Sequence, residues 1–133
     1  RFGRNFRVSD QCCCESPALN EQIQVLKALA DPNRLRIFWL LIHIDDKVNV
    51  SEAMHVLQLP QYEVSKHLKQ LNEAGLLFRE KQQRFVYYRL KRKLDPFRRS
   101  IVRAIEDLPE DLFTEDAKRC RDACLARDEV SVP

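Results

Sequence analysis

The sequence predicts a mainly α fold with one small β-hairpin, and three observations within residues 59–90 carry that prediction. Val64, Leu68 and Leu71 recur at i, i+4 and i+7, the apolar stripe of an amphipathic helix, while Gln61, Tyr62, Ser65, Lys66 and Lys69 project from its other surfaces. Gly75 stands where such a helix calls for a left-handed residue to stop it. Residues 76–90 then form two apolar, strand-prone halves around the polar tetrad 81–84. Helix, glycine stop and hairpin, in that order, describe a winged helix-turn-helix.

The other elements follow along the chain. Residues 1–15 are polar and basic without a period, and read as a flexible arm carrying Cys12, Cys13 and Cys14. Ser16 and Pro17 start a first helix with the stripe Leu19, Ile23, Leu26 and Ala30. Asp31 and Pro32 repeat the cap-then-proline signal and open a second helix through Ile44, apolar enough to be the central core helix, closed by Asp45 and Asp46. Residues 48–50 suit a short strand. Ser51 is then expected to cap a brief helix reaching Leu57, with Ala53, Val56 and Leu57 inward, as the first helix of the helix-turn-helix. Leu59 and Pro60 make the turn into the reading helix. Gln82 and Gln83 sit at the tip of the wing. Asp95 and Pro96 cap another helix through Leu108, with Phe97, Ile101, Val102 and Ile105 on one side. After an acidic break, Thr114 starts a last helix on which Cys120 and Cys124, four apart, share a face. The organisation expected is an arm (1–15), a winged helix-turn-helix domain for DNA binding (16–108), and a C-terminal tail or helix (109–133).

At 133 residues with 44% hydrophobic content the chain supports one domain. No apolar run reaches the ~18 residues that span a bilayer, and no apolar signal region follows Arg1, so no membrane partner and a cytoplasmic setting are expected. The net charge of +3 hides an asymmetry: residues 60–100 carry 11 Lys or Arg against 4 Asp or Glu, whereas residues 101–133 carry 5 against 9. The basic charge lies on the helix-and-hairpin segment, where a polyanion releases counterions on binding; a solvated basic face is the plainer alternative. With two glycines, no phosphate loop and no paired carboxylates near a histidine, nothing suggests an enzyme.

A helix fits the major groove and reads bases with polar side chains near its N-terminal end. Gln61, Tyr62 and Ser65 are therefore the candidates for base contact, and Lys66, His67 and Lys69 for phosphate. His67 has an alternative as a packing residue beside Val64, Leu68 and Leu71. Lys81, Arg84 and Arg89 on the wing are placed to reach a minor groove or the backbone. Tyr87 and Tyr88 cannot both face outward, so one belongs to the core.

Three segments, LADPNRLRI at residues 29–37, LPQYEVSKHLKQLNEAGLL at 59–77 and VYYRL at 86–90, resemble the ArsR/SmtB family of metal- and metalloid-responsive repressors in order and spacing. The resemblance implies a homodimer joined through the first and post-wing helices, presenting two reading helices to a palindromic operator. It also implies inducer sites from which this chain departs. The family's Cys-Val-Cys pattern aligns onto Asn49, Val50 and Ser51, so both thiols are missing, and residues 95–108 contain no histidine for a zinc site. His43 and His55 stand isolated.

The thiols present are Cys12, Cys13, Cys14, Cys120 and Cys124, an odd count that argues against a disulfide framework. Soft ions select thiolate. As(III) or Sb(III) is satisfied by three sulfurs in a pyramid, whereas Zn or Cd wants four and fits less well. The leading expectation is a repressor released when such an inducer binds thiolates pooled from the two ends. Thiol redox sensing, merely exposed cysteines, and a constitutive DNA-binding protein without inducer are the alternatives.

Overall fold

The structure is a computed structural model that describes residues 17–44 and 47–131. Cys12, Cys13 and Cys14, the expected cap Ser16, and Asp45 and Asp46 lie outside the described residues, as does the side chain of Cys124. Among the described residues the order is α1 (Pro17–Leu29), α2 (Pro32–Ile44), β1 (Val48–Asn49), α3 (Val50–Leu57), α4 (Gln61–Glu73), β2 (Leu77–Gln82), β3 (Phe85–Leu90), α5 (Pro96–Glu106), a 3-10 turn (Glu110–Phe113) and α6 (Thr114–Ser131). The three strands form an antiparallel sheet in the order β1-β3-β2. This is the mainly helical winged helix-turn-helix that the pattern predicts.

The core gathers around α2, where Ile37, Phe38, Leu40 and Leu41 are buried, and receives Val25 and Ala28 from α1, Ala53, Val56 and Leu57 from α3, and Val64, Leu68 and Leu71 from α4. Tyr88 joins it from β3 while Tyr87 is half-buried, which settles the choice between the two tyrosines. In α1 the expected stripe is displaced. Val25 and Ala28 point inward, whereas Leu19 and Leu26 are 41% and 51% exposed. Periodicity identifies an apolar face; it does not say what covers it.

Local chemistry sets the helix ends. Asp31 caps α2, its Oδ1 accepting the backbone N–H of Asn33 at 3.0 Å and of Arg34 at 3.2 Å. Burial opposes ionisation of this carboxyl, yet the N–H and guanidinium of Arg34, with the N–H of Asn33 and the nearby His67, hold it below its ordinary value. At α3 the cap is Asn49 rather than the expected Ser51. Asn49 Oδ1 accepts the Glu52 N–H at 2.8 Å and Glu52 Oε1 accepts the Asn49 N–H at 3.0 Å, a complete capping box that starts the helix at Val50. Asp95 precedes α5 without capping it, because its carboxylate is paired with Arg98 Nη1 at 2.9 Å.

Helix α4 stops in a Schellman arrangement: the Gly75 N–H donates to Asn72 O at 3.0 Å and the Leu76 N–H to Leu71 O at 3.2 Å, with Gly75 at φ +80°. A Cβ there would meet Arg98 Nε at 3.2 Å, and that same Nε donates to Ala74 O at 3.0 Å. Gly75→Ala is therefore expected to cost about 1–2 kcal/mol for the left-handed backbone, with further loss from a displaced Arg98; a urea melt measures it, and an unchanged midpoint would contradict the account.

Candidate nucleic-acid interface

The inward stripe of α4 fixes what faces out. Val64, Leu68 and Leu71 are fully buried, so Gln61, Tyr62, Lys66 and Lys69 are exposed and Ser65 is half-buried beside them. Tyr62, at 70% exposure, stands as a large aromatic in solvent at the start of the helix. His67 is not on this face. It is 5% exposed, and its Nδ1 has no hydrogen-bond partner among the described residues, so the expected phosphate contact gives way to the packing alternative. A buried imidazole three residues from Val64 and four from Leu71 completes the inner surface and cannot reach a backbone outside the protein.

The wing continues directly from this helix. The Lys91 N–H donates to Leu76 O at 3.0 Å, closing the base of the hairpin onto the end of α4. Gln82 pairs with Phe85 across a two-residue loop of Gln83 and Arg84, in which Gln83 adopts φ +56°. A left-handed residue at that loop position is what a tight hairpin demands, and Gln83 supplies it without glycine. Lys81 and Arg84 are exposed near this tip. Arg89 is half-buried with its guanidinium 4.4 Å over the Phe78 ring, so its charge is held against the wing surface. Sequence reasoning missed Lys47. Its Nζ donates to Gln82 Oε1 at 2.8 Å, lies 3.8 Å from Glu80 Oε2, and sits 4.7 Å over the Tyr87 ring, tying the start of β1 to the wing and neutralising an acidic residue of the hairpin. The link spans more than thirty residues, so no local pattern announces it.

Two arginines of the LADPNRLRI segment were also unassigned. Arg34 donates to Ala28 O at 2.6 Å and to Gln70 Oε1 at 2.6 Å, joining the end of α1 to the reading helix. Arg36 reaches Asp116 of α6 through Nε at 2.8 Å and Nη2 at 2.9 Å. Asp116 in turn holds the Arg36 guanidinium above its ordinary pKa.

A helix-turn-helix domain model matches residues 29–77, the span from the end of α1 into β2. The arsenic resistance transcriptional regulator ArsR1 of Pseudomonas putida is 36% identical over 95 residues, covering 71% of this chain and 73% of that protein. The chain belongs to the ArsR family. The arsenical resistance operon repressor of Escherichia coli is likewise 36% identical over 80 residues, 60% of this chain and 68% of its own length. Among solved structures, HlyU from Vibrio cholerae superposes with a TM-score of 0.59 at 27% identity, over 70% of this chain and 96% of that one. As an ArsR-family protein this chain is a DNA-binding transcriptional regulator and not an enzyme.

The two positions at which the sequence resemblance leads one to expect thiols lie at the start of α3. Asn49 and Ser51, aligned to the family's thiols, are the cap and second residue of α3, and Asn49 is committed to its capping box. Cys120 is half-buried on α6, packed against the core, and the backbone of Cys124 lies one turn further along the same helix. Among the described residues no three His, Cys, Asp or Glu side chains converge on a metal-sized site. No helix of the described residues is long and apolar enough to cross a membrane.

Proposed function

We propose that this protein is a repressor that binds a palindromic operator as a homodimer and is released when As(III) or Sb(III) is captured by thiolates drawn from Cys12, Cys13, Cys14, Cys120 and Cys124. The observation that carries the DNA-binding half is the division of α4, with an apolar stripe sealed in the core and Gln61, Tyr62, Ser65, Lys66 and Lys69 left for the groove. Gln61 and Ser65 read base edges, Lys66 and Lys69 hold phosphate, and Lys81, Arg84 and Arg89 bring the wing to the flanking backbone. Leu19 and Leu26, exposed on α1, and α5, in which no residue is fully buried, offer the apolar surface through which two copies would pair. The arsenic-resistance roles named for the relatives support the choice of inducer, and soft thiolates suit it better than Zn or Cd.

Operator binding by reduced protein, with and without arsenite, tests the reading. Arsenite is expected to weaken binding of the wild type about 10- to 100-fold, and Cys120→Ser with Cys124→Ser to remove most of that response. Undiminished release of the double variant would sink the C-terminal part of the site. Release by a two-electron oxidant and not by arsenite would reassign the input to disulfide chemistry, and release only by an inorganic polysulfide, which donates the extra sulfur, to persulfide chemistry.

A further inference from the structure

The last four carbonyls of a helix have no partner within it, and those of α3 are satisfied in an unusual way. Met54 O accepts the Gln58 N–H at 2.8 Å and His55 O accepts Gln58 Nε2 at 2.6 Å, so the first two are closed by the adjoining residue. The other two are closed from a distance. Val56 O accepts Arg119 Nε of α6, and Leu57 O accepts Arg36 Nη2 of α2 at 2.7 Å. Both guanidiniums are aimed by one carboxylate: Asp116 Oδ1 takes Arg36 Nη2 and Arg119 Nη2, each at 2.9 Å, and Oδ2 takes Arg36 Nε at 2.8 Å. Asp116 is 4% exposed, while Arg36 is further braced by Asn33 Oδ1 at 2.9 Å. Three residues beyond Leu57 the chain turns at Pro60 into the reading helix.

Asp116 and Cys120 are one turn apart on α6, so the residue that aims both guanidiniums and the half-buried thiol share a helix face turned to the core. We infer that Asp116, with Arg36 and Arg119, is a coupling clamp through which α6 positions α3 and thereby the reading helix, so that displacing α6 at Cys120 lowers DNA affinity. This rests on the reading of the chain as a thiol-controlled DNA-binding regulator. Asp116 and Arg119 are positioning residues: they touch neither DNA nor inducer. A group seated on the Cys120 sulfur pushes that turn of α6 outward, Arg119 leaves Val56 O, and the end of α3 loses the contact that fixes its approach to the turn.

The test alkylates reduced full-length protein with N-ethylmaleimide. It then measures affinity for a duplex selected from a random-sequence pool, alongside amide hydrogen exchange over residues 56–62. Trp39, the single tryptophan, stacks on Phe113 just before α6 with centroids 4.7 Å apart, so its emission reports whether α6 stays docked. Alkylation of the wild type is expected to weaken binding at least about 10-fold and to speed exchange over 56–62. Cys120→Ser should abolish both effects. Asp116→Asn, and Arg119→Lys should the former fail to fold, should react with as much maleimide and yet lose most of the ratio between unmodified and alkylated affinities. The clamp is overturned if alkylation leaves exchange over 56–62 unchanged in the wild type, if Cys120→Ser keeps the effect, or if the folded clamp variants keep the full ratio. Maleimide acting where arsenite does not would remove the inducer reading and leave the clamp standing. Arsenite acting equally on wild type and clamp variants would do the reverse.

Discussion

Replacing Lys66 and Lys69 with alanine is expected to lower operator affinity about 60-fold at about 0.1 M salt and to flatten its salt dependence. Each phosphate neutralised by a protein cation contributes about 0.9 to the negative slope of log affinity against log salt. Two lost contacts therefore remove about 1.8 from the slope, which is a factor of about 60 at about 0.1 M. Both side chains are exposed on α4 and make no ion pair among the described residues, so the fold has little to lose. The melting temperature should stay within a few degrees, and the loss should be uniform across operator sequences. Gln61→Ala would differ by relaxing sequence preference while leaving the slope in place. Titrations at four or five salt concentrations separate the cases. An unchanged slope in the lysine double variant would place those residues away from phosphate and remove the main electrostatic support for the docking of α4.

The elements that were legible in the sequence are those fixed by short-range chemistry. Val64, Leu68 and Leu71 announce the buried face of α4 because their spacing is helical, and Gly75 announces its end because few other residues tolerate φ +80°. His67 was readable too: it lies three residues after Val64 and four before Leu71, within the arc those residues define, but residue type drew it toward phosphate. The cap of α3 was misplaced by two residues, although Asn49 followed three positions later by Glu52 is itself a capping-box pattern. What no local pattern contains is the set of distant contacts. Arg36 and Asp116 are eighty positions apart, and Lys47 finds the wing only once β1 pairs with β3. Alternating arginines in an otherwise apolar helix, as at 34 and 36, are the one hint, since a charge on such a helix needs a partner. The same limit applies to α1, where the spacing of Leu19 and Leu26 announces an apolar stripe but not that both stand exposed in the folded chain.

Leu68→Ala is expected to produce the opposite signature from the lysine variant one residue away. Leu68 is 1% exposed and packed in the main core, so truncation removes buried methyl groups and leaves a cavity that α2, α3 and α4 can only partly close. Such substitutions cost about 3–5 kcal/mol, a large share of the roughly 5–15 kcal/mol that holds a domain together. The melting temperature should fall on the order of 15 °C. Leu68→Met, which nearly conserves volume, should cost less than about 1.5 kcal/mol and so isolates packing as the cause. Operator affinity should drop only as far as the folded fraction drops, and its salt slope should remain that of the wild type because no phosphate contact is removed. A Leu68→Ala protein with normal stability and a reduced slope would mean that the stripe faces the groove and that α4 has been docked by the wrong side. Stability and salt slope, measured on neighbouring residues of one helix, thus decide its orientation without a structure of the complex.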